Sequence, residues 1–180
     1  MAEQFPGFET PHLKLIEESP VFFVATAPPE GRINLSPKGY DSMRVLGPNR
    51  LIWRNITGSG NETAGHLRLD DRMTVMWCSF ATRPLILRAY GRARAVHEGD
   101  ADWADLDGRF PPHPGARQVF DMAVEMVQTS CGYAVPLADG MREREALHKW
   151  SEDKGRDGVR EVWARANATT IDGLPTGVPE

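Results

Sequence analysis

The sequence is poor in cysteine and lysine and has no long apolar run. Two cysteines, Cys78 and Cys131, are too few for a disulfide framework, and buried thiols in a reducing compartment are their expected state. The longest clean apolar run, Val21-Phe22-Phe23-Val24-Ala25, falls far short of the roughly 18 residues of a membrane span, so no membrane partner is expected. The start, Met1-Ala2-Glu3-Gln4-Phe5-Pro6-Gly7, lacks the positive and apolar regions of a secretory signal, and a cytoplasmic protein is expected. A net charge of −4 and a pI near 5.8 leave no basic footprint for nucleic acid. The histidines His12, His66, His97, His113 and His148 share no metal-ligand spacing with one another or with the cysteines, so no metal site is expected. A Gly-x-Ser-x-Gly elbow, a Walker-type loop and a Gly-x-Gly-x-x-Gly turn after a strand are also missing, which disfavours the enzymes most often readable from sequence.

Arginine, by contrast, is abundant: seventeen against four lysines. Its planar fork suits phosphate and carboxylate, which keeps small anions in view as ligands. At 180 residues, 41% hydrophobic and 26% charged, the chain has the size of one globular domain. The expected division is a core over about residues 20–136 and a helical C-terminal extension over 137–180.

Local patterns predict a short helix first, with Thr10 capping Pro11 ahead of residues 12–17. Strands follow over 21–26 and 32–38, around the turn Pro28-Pro29-Glu30-Gly31, and over 50–56 after Gly47-Pro48-Asn49. A helix over 62–69 precedes two long strands, 72–80 and 85–96. In the second, Leu87, Ala89, Gly91 and Ala93 alternate with Arg88, Tyr90, Arg92 and Arg94, so one face is buried and the other charged. In the first, Val75 and Trp77 alternate with Met76 and Phe80; both faces want cover, and a subunit interface would supply the second. Val119, Phe120, Ala123, Val124 and Val127 follow a helical stripe, as do Val159, Val162, Trp163 and Ala166, with a strand over 127–135 between them. Asp100, Asp102, Asp105 and Asp107 around Trp103 read as a helix start with a wet face, and the Gly/Pro-rich residues 171–180 as irregular. The expected fold is mainly β with helices (α+β): a six-stranded antiparallel barrel, closed or nearly so, with one inserted helix and C-terminal helices on its surface. So small a barrel is filled by its own side chains, which places a ligand on the outside or between subunits.

On residues 32–38, Asn34, Ser36 and Lys38 share one wholly polar face. In the next strand Leu51, Trp53 and Asn55 share a face, and the strand runs into Thr57-Gly58-Ser59-Gly60-Asn61-Glu62-Thr63. That loop can cap the following helix, through a Ser59/Glu62 capping box or through Asn61, and free N–H groups there also attract phosphate.

Several strings, in order, resemble the pyridoxamine 5′-phosphate oxidase-like FMN-binding family over about residues 20–97. They are Phe22-Phe23-Val24-Ala25-Thr26, Ile33-Asn34-Leu35-Ser36-Pro37-Lys38-Gly39, Leu51-Ile52-Trp53, Gly58-Ser59-Gly60-Asn61-Glu62-Thr63-Ala64, Arg72-Met73-Thr74-Val75-Met76-Trp77 and Leu87-Arg88-Ala89-Tyr90-Gly91-Arg92-Ala93. The resemblance implies a split barrel that forms a homodimer, with FMN in clefts between the subunits. Carried over by position, the cofactor contacts are Ser36, Pro37 and Lys38; Trp53, Arg54, Asn55 and Ile56; and Thr57, Gly58, Ser59, Gly60, Asn61, Glu62 and Thr63. The implied activity is that of a flavin-dependent oxidoreductase acting on a small molecule.

The sequence also departs from that pattern. Asn61-Glu62-Thr63 stands where vitamin B6 oxidases of the family carry Ser-Arg-Lys, and their C-terminal arginine/histidine substrate motif has no match. A glutamate beside a phosphate is repulsive unless it turns away, as Glu62 of a capping box could. Arg54, Arg83, Arg88 or Arg92 of either subunit are then the candidates for the phosphate charge. Vitamin B6 oxidation itself loses support. The alternative readings are a non-catalytic flavin, haem or deazaflavin binding or sensing protein, and a structural dimer in which Asn34, Ser36 and Lys38 form only a wet face.

Overall fold

A computed structural model describes residues 2–178. Met1, Pro179 and Glu180, at the outer ends of the start and of the irregular tail, lie outside the described residues. The elements run β1 (Glu3–Phe5), α1 (Thr10–Glu18), β2 (Phe22–Thr26), β3 (Asn34–Lys38), β4 (Met43–Gly47), β5 (Arg50–Ile56), α2 (Glu62–His66), β6 (Arg72–Cys78), β7 (Ile86–His97), α3 (Trp103–Asp107), β8 (Ala116–Ser130) and α4 (Ala146–Val162), followed by a π-helical turn over Trp163–Asn167. The helix α1 is capped one residue before the expected Thr10. Glu9 and His12 form a reciprocal capping box, in which the Glu9 N–H donates to His12 Nδ1 at 3.0 Å. Burial lowers the pKa of His12, which keeps that nitrogen free to accept.

The eight strands form one antiparallel sheet in the order β3-β2-β6-β7-β8-β5-β4, with β1 paired to β8. The count is eight rather than the expected six, and the sheet is not closed. The two extra strands carry no period-2 signal: β1 has three residues, and in β4 every residue is half-buried. The open sheet curls so far that its edge strand β3 approaches β5 without pairing, and Lys38 Nζ lies 5.3 Å from the Trp53 ring centre. The core inside the curl gathers Leu51, Trp53, Val75, Trp77, Leu87, Phe120 and Met122, with Trp53 stacked on Phe120 at 4.4 Å and edge-on to Phe22 at 6.2 Å. A smaller core of Ile52, Val96, Leu106, Phe110 and Val119 lies under α3, so β5 is covered on both sides.

The largest departure is β8. Residues Val119 to Val127, expected as a helix, lie inside a 15-residue strand that pairs with β1, β5 and β7. The strand has two bulges, and the first of them lies inside that stretch and explains the misleading spacing. Tyr90 pairs with Met126 and Gly91 with Val124, which leaves Glu125 extra; Asn55 pairs with Gln118 and Ile56 with Ala116, which leaves Arg117 extra. A bulge resets which residues point inward, so apolar positions drift out of strict alternation. Gly91 permits the first bulge, because a Cβ there would lie 2.0 Å from the Ala123 carbonyl oxygen. The strand expected over 127–135 is the end of β8 and stops at Ser130; Cys78 is buried as expected, but Cys131, just beyond, is exposed.

The outer face of β2, β6, β7 and β8 carries Phe23, Met76, Tyr90 and Met126, all half-buried, with Phe23 opposite Met76, Arg88 opposite Met76 on the other side, and Tyr90 opposite Met126. After β8 the chain reaches α4, which kinks at Gly155 (φ +66°). Residues 168–178 then lie back on α2: a Cβ on Gly65 would meet Thr170 Cγ2 at 2.3 Å. No helix among the described residues is long and apolar enough to cross a membrane.

Candidate cofactor-binding site

The curl brings the polar face of β3 against the end of β5 and the glycine loop after it, and a cleft of about 340 Å³ remains between them. Ser36, Pro37, Lys38, Asn55, Ile56, Gly58, Ser59, Gly60, Asn61, Glu62 and Thr63 line it, together with Asn34 and Arg117. Along β3, Ser36 Oγ donates to Asn34 Oδ1 at 3.0 Å, and Asn34 Nδ2 reaches Thr63 Oγ1 at 3.4 Å. Lys38 Nζ has a weak contact with Asn55 Oδ1 at 3.5 Å. Burial first, and the Arg117 charge second, push the Lys38 pKa down to about 8.

Glu62 lines this cleft, but its carboxylate is engaged by the C-terminal segment. Its carboxylate accepts the N–H of Ile171 in the C-terminal segment, at 3.1 and 3.2 Å to its two oxygens. The helix α2 starts at Asn61, not through a Ser59/Glu62 box, and Asn61 makes no side-chain cap. Its Oδ1 instead accepts from Gln118 Nε2 at 2.9 Å and Asn55 Nδ2 at 3.3 Å, while its buried Nδ2 has no partner.

Trp53, Arg54 and Thr57, also expected as contacts, do not line the cleft. Trp53 is core, beneath Lys38. Arg54 points to the other side of β5, against the Phe110 ring at 5.1 Å and 3.6 Å from Asp107. Thr57 is buried and fixes the loop from below. Arg83, Arg88 and Arg92 of the same chain are also elsewhere: Arg88 donates to Ser130, and Arg92 pairs with Asp71 and Glu125. The arginine that does reach the cleft is Arg117, 1% exposed, which sequence reasoning missed because β8 reads as a helix. Its Nη1 donates to Asn167 Oδ1 at 2.6 Å and its Nη2 to the Gly60 carbonyl at 3.0 Å; its Nε has no partner. Burial lowers its pKa too, although a guanidinium keeps its proton at neutral pH. Among the described residues, no carboxylate contributes to the shift of either cation. One half-buried and one fully buried positive charge without a carboxylate partner, beside unpaired donors, give the cleft the chemistry to hold an anion. From Pro37 and Lys38 the surface continues into a groove of about 480 Å³ walled by Pro20, Val21, Met141 and Leu147 and also by Arg142, Glu143 and Arg144.

A sequence model of pyridoxamine 5′-phosphate oxidase matches residues 8–131. The chain is also 37% identical over 174 residues to the pyridoxamine 5′-phosphate oxidase family protein ustO of Aspergillus flavus, covering 87% of this chain and 70% of that relative. The chain belongs to the pyridoxamine 5′-phosphate oxidase family. Solved structures agree on the fold of this family member. HupZ of Group A Streptococcus superposes with a TM-score of 0.51 at 23% identity, over 66% of this chain and 91% of that one. A Lactobacillus delbrueckii protein described as a candidate pyridoxamine 5′-phosphate oxidase gives 0.55 at 19% identity, over 68% and 94%. The family match spans every cleft-lining residue of the chain, yet ends before α4 and the segment that holds Asn167.

Proposed function

We propose that this family member binds FMN in the β3–β5 cleft and acts as a flavin-dependent oxidoreductase on a small molecule. The observation that carries the reading is Lys38, a half-buried cation with no carboxylate partner at the meeting point of a polar cleft and a mostly apolar groove. A phosphate beside Lys38 and a flat apolar ring along Pro37 suit those two environments. The residues present fit the group: Lys38 and the unpaired Asn61 Nδ2 would hold the phosphate, with Ser36, Asn34 and Thr63 toward the polyol. FMN would supply the electron transfer, while the chain binds it, orients it and shields it from water.

The same reading makes the protein a homodimer. The half-buried Phe23, Met76, Tyr90 and Met126, with Arg88 opposite Met76, form the outer face that a second subunit would cover, and Pro37 lies on the edge strand of that sheet. Two unpaired thiols accord with a reducing, cytoplasmic setting.

The test is anaerobic. FMN-loaded protein is mixed with reduced nicotinamide, and bleaching of the flavin bands supports an oxidoreductase. Loaded protein that bleaches with a chemical reductant but not with reduced nicotinamide contradicts it, and light scattering of the same sample reads the dimer.

A further inference from the structure

Arg117 occupies an unusual place for a buried cation. It is the extra residue of the bulge between Asn55 and Ile56, so it has no cross-strand partner on β5. A bulge bends the strand and re-aims one side chain, and here the guanidinium is turned under the glycine loop and into the cleft wall. Both groups that it bonds are neutral: the Gly60 carbonyl and the Asn167 amide oxygen. Burying a guanidinium with neutral acceptors alone costs stability, whereas a carboxylate in place of the amide would offset much of that cost. Asn167 itself is fully buried and tightly specified. Its Nδ2 donates to the Gly58 carbonyl at 3.2 Å, and its own carbonyl accepts from Thr176 Oγ1 at 2.6 Å. One amide side chain therefore ties Arg117 to the loop while adding no negative charge.

We propose that Arg117 is a further anion-binding residue of the cleft, and that Asn167, brought by the C-terminal extension, is the positioning residue that keeps this cation uncompensated, so that the cleft selects a phosphomonoester over its dephosphorylated counterpart. The inference rests on the β3–β5 cleft being the cofactor site, and it names what sets that site's preference. Lys38 supplies one charge from the edge strand; Arg117 supplies the second from β8, beneath the Gly58–Gly60 backbone. Neither is neutralised until a ligand brings its own charge.

Three variants decide it: Asn167→Asp, Asn167→Ala and Arg117→Gln. The readouts are Kd for FMN and for riboflavin by fluorescence quenching, and the Tm rise caused by inorganic phosphate, which needs no flavin. Asn167→Asp gives Arg117 a carboxylate. Like Asn167→Ala it loses the donor to the Gly58 carbonyl, so it is expected to weaken FMN and phosphate by at least about tenfold more than riboflavin, in a protein at least as stable as Asn167→Ala. Asn167→Ala loosens the loop but adds no charge, so its loss of phosphate response is smaller. Arg117→Gln removes the charge, keeps an amide donor, and loses the FMN-over-riboflavin preference by a similar factor; it decides the matter if Asn167→Asp does not fold. Equal losses for FMN and riboflavin, an Asn167→Asp response no weaker than that of Asn167→Ala, or an unchanged preference in Arg117→Gln would overturn the proposal. Wild-type protein that responds to phosphate but ignores both flavins sinks the FMN reading, and the phosphate arm still tests Arg117 and Asn167.

Discussion

The Trp163 indole N–H donates to Thr57 Oγ1 at 2.7 Å, and that hydroxyl donates onward to the Gly115 carbonyl at 2.9 Å. All of this is buried, and it joins the end of α4 to the first residue of the glycine loop. The C-terminal extension thus backs the loop that walls the cleft, through Trp163 at Thr57 and Asn167 at Gly58.

Replacing Trp163 by Phe keeps most of the ring and removes the donor. Urea denaturation should show a loss of about 1–2 kcal/mol, the range for a buried hydrogen bond with some packing loss, together with weaker FMN binding. Wild-type stability in this variant would mean that the bond does not hold the loop.

Lys38 makes the cleft pH-dependent. Its pKa in the folded, unliganded protein is about 8, below an ordinary value near 10.5. Folding therefore penalises its protonated form, and the unliganded protein should gain stability as pH rises between those values. Anion binding needs the protonated form, so affinity for FMN should fall as pH passes upward through about 8, where the ligand phosphate, with its second pKa near ~6, no longer changes charge. Lys38→Met should flatten the profile. The double variant Lys38→Ala with Thr63→Ala should weaken FMN binding and leave the fold intact, as read by circular dichroism; unchanged flavin content would remove Lys38 and Thr63 from the site.

At the first bulge, Gly91→Ala drives a Cβ to 2.0 Å from the Ala123 carbonyl oxygen and 3.0 Å from Val124 Cα, both backbone. A loss of more than about 3 kcal/mol, or failure to fold, is expected. Gly47→Ala, with nothing within 4 Å, is the control and should change little. Equal thermal stability of the two variants would show that β8 is not bulged there.

Legibility in the sequence followed burial. β7 was readable because one face is core and the other carries Arg88, Arg92 and Arg94, and β5 ends where turn residues and a glycine loop place it. Lys38, Ser36 and Asn34 could be found because a wholly polar strand face is visible in one dimension. β8 was unreadable as a strand because its first residues, Ala116 to Phe120, are covered on both faces, and the bulge at Glu125 moves Val127 out of step with Phe120 and Val124. Arg117 was hidden with it, and only the excess of arginine over lysine hinted at such a residue. The role of Asn167 depends on chain folding back across 50 residues to Arg117, which no local pattern encodes.

The central claim is that the β3–β5 cleft holds FMN. Its most direct test is the visible absorption spectrum of the purified protein, before and after incubation with excess FMN and removal of the free ligand. The account predicts flavin bands that are retained in the wild type and lost in Lys38→Ala with Thr63→Ala. A colourless wild-type protein after loading, or a Soret band in place of the flavin bands, would contradict it.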